Sequence, residues 1–256
     1  MLRRTSLAVA AIAVVGLVTG LAQATLVSQS TFNGSFESPA LDSDTGQSIN
    51  GGTSNDTIIP KWNVVCATYA YAGMNNPGDS LYAGAAYPND IPGGYAEGQQ
   101  SSYLHWGGGT WSSSISYLET TYDVCTIASG TDYTLTLAVG TPLNIGGNTA
   151  NTKVTQASIS ILAGGTAVAT ITLNPADLPG QGAWTDVSVS LMRDVIAANG
   201  YAGQGLKIKL WAKVNAASRR RIDFDNLRLD VVPEPAALSV LGIGALGVLL
   251  RKRRRQ

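Results

Sequence analysis

Alternation of apolar and polar residues recurs through the middle of the chain and predicts β-strands. Over residues 133–139, aromatic or aliphatic side chains alternate with small polar ones, as in a strand with one buried face. The same period of two returns at residues 187–191 and 206–210 and around Ile159. Further strands are expected at residues 31–37, 63–66, 101–106, 114–120, 166–173 and 221–230.

Turn residues separate these segments, among them Gly146-Gly147, Gly164-Gly165 and Asn199-Gly200. Helical periodicity is short, and residues 192–198 are expected to form one turn. About ten half-buried strands joined by short turns favour an all-β fold, an antiparallel two-sheet β-sandwich.

The first 24 residues have the pattern of a secretory signal peptide. Arg3 and Arg4 precede an apolar stretch at residues 7–21, and Ala22-Gln23-Ala24 offers a small-x-small cleavage site. An uncleaved N-terminal anchor is the alternative. The domain organisation expected is a signal peptide at 1–24, a β-sandwich at 25–232 and a C-terminal tail at 233–256.

The tail has three parts in a fixed order. Pro233, Glu234 and Pro235 interrupt any strand or helix, residues 236–250 are uncharged and apolar, and residues 251–255 are all basic. The apolar run would span about 22 Å as a helix, against ~30 Å for a bilayer core, so a transient membrane segment is expected. A buried core helix is the alternative.

This tail resembles the PEP-CTERM sorting signal of exported bacterial proteins. The resemblance implies processing by an exosortase, an integral-membrane enzyme, after transient anchoring by the C-terminal segment. The expected destination is the cell surface or the extracellular matrix.

Charge is unevenly distributed between the ends and the rest of the chain. Between Thr25 and Pro235 there are 10 Lys and Arg residues against 17 Asp and Glu residues, although the full chain is formally neutral. Such an acidic domain does not favour nucleic-acid binding. A basic group is either a solvated face or a contact for an acidic polysaccharide; it comprises Lys207, Lys209, Lys213, Arg219, Arg220, Arg221 and Arg228.

The two cysteines, Cys66 and Cys125, both lie in the part expected to be exported. An oxidising compartment permits a disulfide between them. Two separate buried thiols are the alternative.

Short motifs at both ends of the expected domain resemble galactose-binding-like jelly rolls of carbohydrate-binding modules. They are Asn33-Gly34-Ser35-Phe36-Glu37 and the strand from Ile222 to Leu229. In that strand the apolar parity changes between Phe224 and Leu227, which predicts a bulge at Asp225-Asn226. The resemblance implies a structural Ca²⁺ held by Glu37 and Asp225, and solvated strand-end carboxylates are the alternative.

Aromatic residues are the candidates for ligand binding. Tyr103, Trp106 and Trp111 surround a glycine-rich turn, where exposed rings would stack on the apolar faces of a polysaccharide. Placement of Trp106 and Trp111 in the core is the alternative.

Motifs for catalysis are sparse. His105 is the only histidine, which excludes a His-rich metal site, and no nucleophile-elbow, zinc-protease or phosphate-loop motif occurs. The prediction is a non-catalytic carbohydrate-binding protein of the cell surface. A structural matrix component and a glycan-active hydrolase or lyase are the alternatives.

Overall fold

The chain forms an antiparallel β-sandwich of two sheets, as seen in a computed structural model. The structure describes residues 25–27, 29–36, 46–50, 59–66, 70–75, 100–106, 114–143, 153–214 and 219–233. The strands are β1 (Thr25–Val27), β2 (Gly46–Asn50), β3 (Trp62–Val65), β4 (Ala70–Asn75), β5 (Ser101–Trp106), β6 (Ser114–Thr120), β7 (Cys125–Thr126), β8 (Thr131–Thr141), β9 (Gln156–Ala163), β10 (Thr166–Leu173), β11 (Ala183–Leu191), β12 (Gly205–Val214) and β13 (Arg220–Pro233). Two short helices are α1 (Gln29–Phe32) and α2 (Arg193–Asn199).

The larger sheet has the order β11-β8-β13-β5-β4-β2, and β1 pairs with the end of β13. The last strand, β13, is therefore central to this sheet. It lies against β8 along most of its length and against β5 over its first residues.

The smaller sheet has the order β10-β9-β12-β6-β3, with β7 paired to the start of β12. In β12 buried residues alternate strictly with half-buried ones, which follows from the predicted period of two. Its buried side chains are Leu206, Ile208, Leu210, Ala212 and Val214.

The core lies between the sheets and includes residues from both ends of the described domain. Phe32 and Phe36, from the N-terminal segment, belong to the same buried cluster as Trp62 and Phe224. The Trp62 indole N–H donates to the Phe32 carbonyl at 2.8 Å, which satisfies a polar atom that would otherwise be buried without a partner.

The predicted all-β sandwich is confirmed, and β5, β6 and β10 have the predicted bounds. The strand predicted at residues 31–37 is wrong. That segment ends α1 and continues into a turn in which Asn33 and Phe36 both have φ of 53°. Positive φ is incompatible with an extended strand.

The predicted bulge in the last strand is confirmed. The register of β13 with β8 shifts between Asp225 and Arg228, and Asn226 has φ of 49°. The extra residue lets Phe224 and Leu227 both reach the core although they are three positions apart.

The two cysteines are separate thiols in the structure. Cys66 follows Val65, which pairs with Tyr117 and through it is level with Trp211 of β12. Cys125 lies opposite Leu206 of the same strand. Trp211 and Leu206 are five residues apart along β12, about 16 Å, so the two cysteines are well beyond the reach of a disulfide.

Both predicted membrane-related segments, the signal peptide at 1–24 and the apolar run at 236–250, lie outside the described residues. Within the part of the chain that is described, no helix has the length and apolar character needed to cross a membrane.

Candidate functional site

The larger sheet has a second face, opposite the core, where polar and aromatic side chains from β4, β5 and β13 meet. We call it the polar face. Paired residues of neighbouring strands point to the same side, so Tyr71, His105 and Arg221 form one row across it. Tyr103 and Asp223 lie side by side in the next row.

An arginine–carboxylate pair occupies the middle of this face. Arg221 Nε donates to Asp223 Oδ1 at 2.5 Å, and Nη2 donates to Oδ2 at 3.1 Å. The Arg221 guanidinium also lies over the Tyr103 ring, 4.3 Å from its centroid. Asp223 is completely buried, and this two-pronged contact fixes the orientation of its carboxylate.

His105 is the neighbour of this pair and is held in its neutral form. Its ring stacks on Tyr71 with centroids 5.6 Å apart. Burial, together with the positive charges of Arg221 and Arg219, lowers the pKa of His105 from 6.5 to about 4. A neutral imidazole offers a ligand either a hydrogen-bond donor or an acceptor.

Two buried polar atoms of β5 on this face have no hydrogen-bond partner among the residues that are described. They are His105 Nε2 and Ser101 Oγ. Buried polar atoms are nearly always satisfied, so each of these two atoms has the capacity for one further hydrogen bond.

Two glycines lie in the same row as the buried Asp223 carboxylate. Gly140 of β8 separates Asp223 from Trp184 in the same row, and Gly73 lies on the far side of Tyr103. Trp184 is 5% exposed although it belongs to the polar face and not to the core cluster. The arrangement is a fixed carboxylate with aromatic rings around it, which suits an apolar or aromatic small molecule.

The predicted carbohydrate-binding residues do not form an exposed platform in the described part. Trp106 is 1% exposed and belongs to the core, so the expectation that it is exposed is wrong. It alternates with Tyr103 and His105 along β5 and therefore points to the other side of the sheet. Tyr103 is on the polar face beneath Arg221, and Trp111 lies outside the described residues.

Asp225, one of the two predicted calcium ligands, lies at a different corner. Asp225 is fully buried in the bulge, and its Oδ1 accepts a hydrogen bond from the Asn226 N–H at 2.6 Å. The bulge contacts the N-terminal motif, since the Leu227 N–H donates to the Gly34 carbonyl at 3.0 Å. Glu37 directly follows this motif but lies outside the described residues.

Sequence analysis missed Asp223 and Tyr71 as site residues and placed Arg221 in a basic group expected to be either a solvated face or a contact for an acidic polysaccharide. Arg221 is 8% exposed and is bonded to Asp223. The available signal was Asp223-Phe224-Asp225, where two acids share the parity opposite to an apolar residue of the last strand.

Solved structures with the same fold include cyclases from Fischerella. The apo form of one from Fischerella sp. has TM-score 0.62 and 24% identity, over 82% of this chain and 98% of that one. A Stig cyclase from Fischerella sp. TAU, in complex with (3Z)-3-(1-methyl-2-pyrrolidinylidene)-3H-indole, has TM-score 0.59 and 22% identity, over 83% and 100%. A complex of a Fischerella sp. TAU cyclase with 4-(1H-indol-3-yl)butan-2-one has TM-score 0.54 and 23% identity, over 79% and 96%. At these identities the likeness establishes the fold.

A carbohydrate-binding module of the β-sandwich superfamily is more distantly similar, with TM-score 0.43 and 12% identity over 70% of this chain and 62% of that one. This likeness extends to the sandwich and bears on no function. No curated protein matches the chain.

Two families match the sequence, one over the expected sandwich and one over the expected C-terminal tail. Residues 231–255 match the PEP-CTERM protein-sorting motif, which marks the protein for export, membrane anchoring at the C-terminus and exosortase processing, and hence for the cell surface or extracellular space. Residues 29–230 match the HpiC1-like family, described as HpiC1 cyclase. The prediction of a non-catalytic domain is therefore contradicted, because the relatives are enzymes. The chain belongs to the HpiC1-like cyclase family and carries a PEP-CTERM sorting motif.

Proposed function

We propose that this protein is an exported cyclase-type enzyme whose active site is the polar face. The observation that carries the proposal is Asp223, a fully buried carboxylate held by Arg221 on the face of the sheet that does not build the core. Buried ionisable groups are costly to maintain, and the sandwich core between the sheets does not use this one. Aromatic residues around it suit an unsaturated, ring-containing substrate.

The chemistry we propose for Asp223 is proton transfer. Cyclisation onto an unsaturated ring moves a proton from one carbon to another while the new bond forms. The Asp223 carboxylate, ionised beside Arg221, would take up a proton at one carbon and return a proton at the other, so it ends the cycle unchanged and no oxidant or reductant is needed. Arg221 orients the carboxylate, while Tyr103, Tyr71 and Trp184 position the substrate.

Neutral His105 complements the carboxylate in this proposal. Its Nε2, which has no hydrogen-bond partner among the described residues, is suited to a hydrogen bond with a polar group of the substrate, such as an indole N–H. An imidazole that stays uncharged at neutral pH makes this contact without adding a second cation beside Arg221.

The direct test is the Asp223→Asn variant. A panel of unsaturated indoles is incubated with the full-length protein, and cyclisation is detected by liquid chromatography and mass spectrometry as a new product of unchanged mass. We expect turnover to fall at least ~100-fold, the usual loss for a proton-transfer residue. Binding of 4-(1H-indol-3-yl)butan-2-one, measured by calorimetry, should be retained.

Asp186→Asn is the matched control, because Asp186 is also paired to an arginine on the same side of the same sheet, at 2.7 Å from Arg228 Nη2. It should keep full turnover. If Asp223→Asn is unstable, Asp223→Glu preserves the charge next to Arg221 and displaces the carboxylate by one methylene. Wild-type turnover in Asp223→Asn would refute the assignment, whereas Asp223→Glu should show reduced turnover because its carboxylate is displaced.

We also propose that Ca²⁺ binds where the bulge meets the N-terminal motif. The oxygen donors there are the Asp225 carboxylate and main-chain carbonyls of residues 33–36, with Glu37 next in sequence. Gln100 is close, because its Nε2 donates to the Phe36 carbonyl at 3.1 Å. Oxygen-only donors of this kind fit a hard cation.

Calcium should then raise the melting temperature of the chelator-treated protein, since a ligand that binds only the folded state stabilises it. The Asp225→Asn variant should lose this rise, whereas Asp186→Asn should keep it. Identical melting curves in calcium and in chelator would exclude the site.

A further inference from the structure

The smaller sheet also has a face that points away from the core, and β12 supplies most of its charge. Lysines and one tryptophan occupy the alternating positions of β12 that do not enter the core. We call these residues, together with Tyr117 of the neighbouring strand, the lysine–aromatic surface; its members are Lys207, Lys209, Trp211, Lys213 and Tyr117.

The aromatic residues of this surface lie next to each other. Trp211 lies directly opposite Tyr117, and both are partly exposed. Lys209 Nζ lies 3.8 Å from the centroid of the Tyr117 ring and 3.2 Å from Glu119 Oε2, so its ammonium is held at the surface beside the rings. Such a pair of flat side chains is suited to the apolar C–H faces of sugar rings.

A buried hydroxyl adjoins the rings. Ser158 lies opposite Trp211 on β9, is fully buried, and its Oγ has no hydrogen-bond partner within the described part of the chain.

The charge of the surface is opposite to that of the rest of the domain. Among the described residues, three lysines and one glutamate lie on this face, whereas residues 25–235 carry 10 basic and 17 acidic side chains. Lys207 and Lys213 are six residues apart on one strand, about 20 Å, so a single small anion cannot contact both. An extended anionic polymer is long enough to contact both lysines.

We propose that the lysine–aromatic surface binds an acidic polysaccharide, with the lysines contacting its carboxylates and Trp211 and Tyr117 stacking on its rings. Nucleic-acid binding is less suited to this surface, because it commonly uses more phosphate contacts than three lysines supply. The surface is on the other sheet from Asp223, so the enzyme would hold a matrix polymer while its polar face stays free. This proposal does not depend on the cyclase assignment.

The test measures retention of the full-length protein on alginate in native affinity gels, in calcium-free buffer, with neutral dextran as the comparison polymer. We expect retention on alginate alone, weakened by added salt. The triple variant Lys207→Gln, Lys209→Gln, Lys213→Gln should bind at least tenfold more weakly. Arginine at the same three positions should preserve binding.

Two further variants separate stacking from charge and from global effects. Trp211→Ala should also weaken retention about tenfold, as expected for the loss of a stacking contact. Arg228→Gln removes one positive charge from the larger sheet and should bind like the wild type, because it is far from the surface in the fold. If Trp211→Ala unfolds, the lysine variants decide, since their side chains do not enter the core.

Three outcomes would overturn the proposal. The first is wild-type retention of the triple glutamine variant, and the second is equal retention on dextran. The third is binding of a single-stranded oligonucleotide or of phosphatidylglycerol vesicles in place of alginate, which would assign the surface to a nucleic acid or to a membrane.

Discussion

At the scale of single residues, the unusual feature is that charged and polar side chains are buried outside the core. Asp223 is fully buried and paired, while His105 is held neutral beside two arginines. Each of these states costs free energy unless a neighbour compensates it. Residues that carry such a cost without building the core are those most expected to serve function.

The depressed pKa of His105 predicts a pH dependence of stability. The unfolded chain takes up a proton near pH 6.5, whereas the folded protein does so only near pH 4. Above pH 6.5 both states are neutral at this site, and the free energy of unfolding falls as the pH drops from 6.5 to 4. The total loss is about 3 kcal/mol, with no further change from this group below pH 4.

Thermal melts at pH 7 and pH 5 measure the part of this loss that falls between those two values, in the wild type and in His105→Gln, which cannot be protonated. The wild type should lose several degrees more than the variant between these two values. Because the chain has only one histidine, its imidazole resonances report the pKa directly by NMR. A normal value near 6.5 would contradict the burial that the structure shows.

At the scale of elements, α1 and the turn after it connect the N-terminus to the last strand. The Lys61 ammonium donates to the Thr31 carbonyl at 3.0 Å, and the rings of Phe36 and Trp62 are 5.6 Å apart. Together with the Gly34–Leu227 hydrogen bond, these contacts fix the turn against the bulge of β13. The corner proposed for calcium is therefore built from both ends of the domain.

Gly34→Ala should break this connection. A Cβ at position 34 would lie 2.5 Å from Phe32 Cε2 and 2.6 Å from the Leu227 carbonyl oxygen, so the turn must move away from the bulge. Overpacking of this kind costs about 1–3 kcal/mol, which urea denaturation would detect. Gly180→Ala is the control, because a Cβ there meets nothing within 4 Å, and it should leave stability unchanged. Equal stability of the two variants would contradict the tight contact.

At the scale of the whole molecule, the two ends of the described domain lie together. Thr25 in β1 pairs with Val231 in β13, and Pro233 is the last residue of β13. Residues 25–233 therefore include every described strand. Removing the segments before and after them would leave all of these strands in place. The sorting motif at residues 231–255 overlaps only the end of β13.

We expect the mature surface protein to start near Thr25 and to lack the segment from about residue 236 onward. Intact-mass analysis of protein released from cells would show both cuts. A recombinant chain of residues 25–235 should melt at the same temperature as the full-length protein, because no described strand is lost. Surface protein with an unprocessed C-terminus would contradict exosortase processing.

The sequence by itself determined the β-sandwich, the bulge and the sorting tail, because each depends on local periodicity or on a contiguous motif. Strand β2 was missed. Strand β4 was also missed, because it consists largely of small residues without clear alternation of apolar and polar positions. Only the tertiary structure decided that Trp106 enters the core while Tyr103 joins Arg221 on the polar face. It also decided that Cys66 and Cys125 stay apart, because their separation depends on registers of β3, β6, β7 and β12 that no local pattern specifies. The burial of Asp223 likewise arises from neighbours contributed by strands distant in sequence, so the candidate active site exists only once the sheet has assembled.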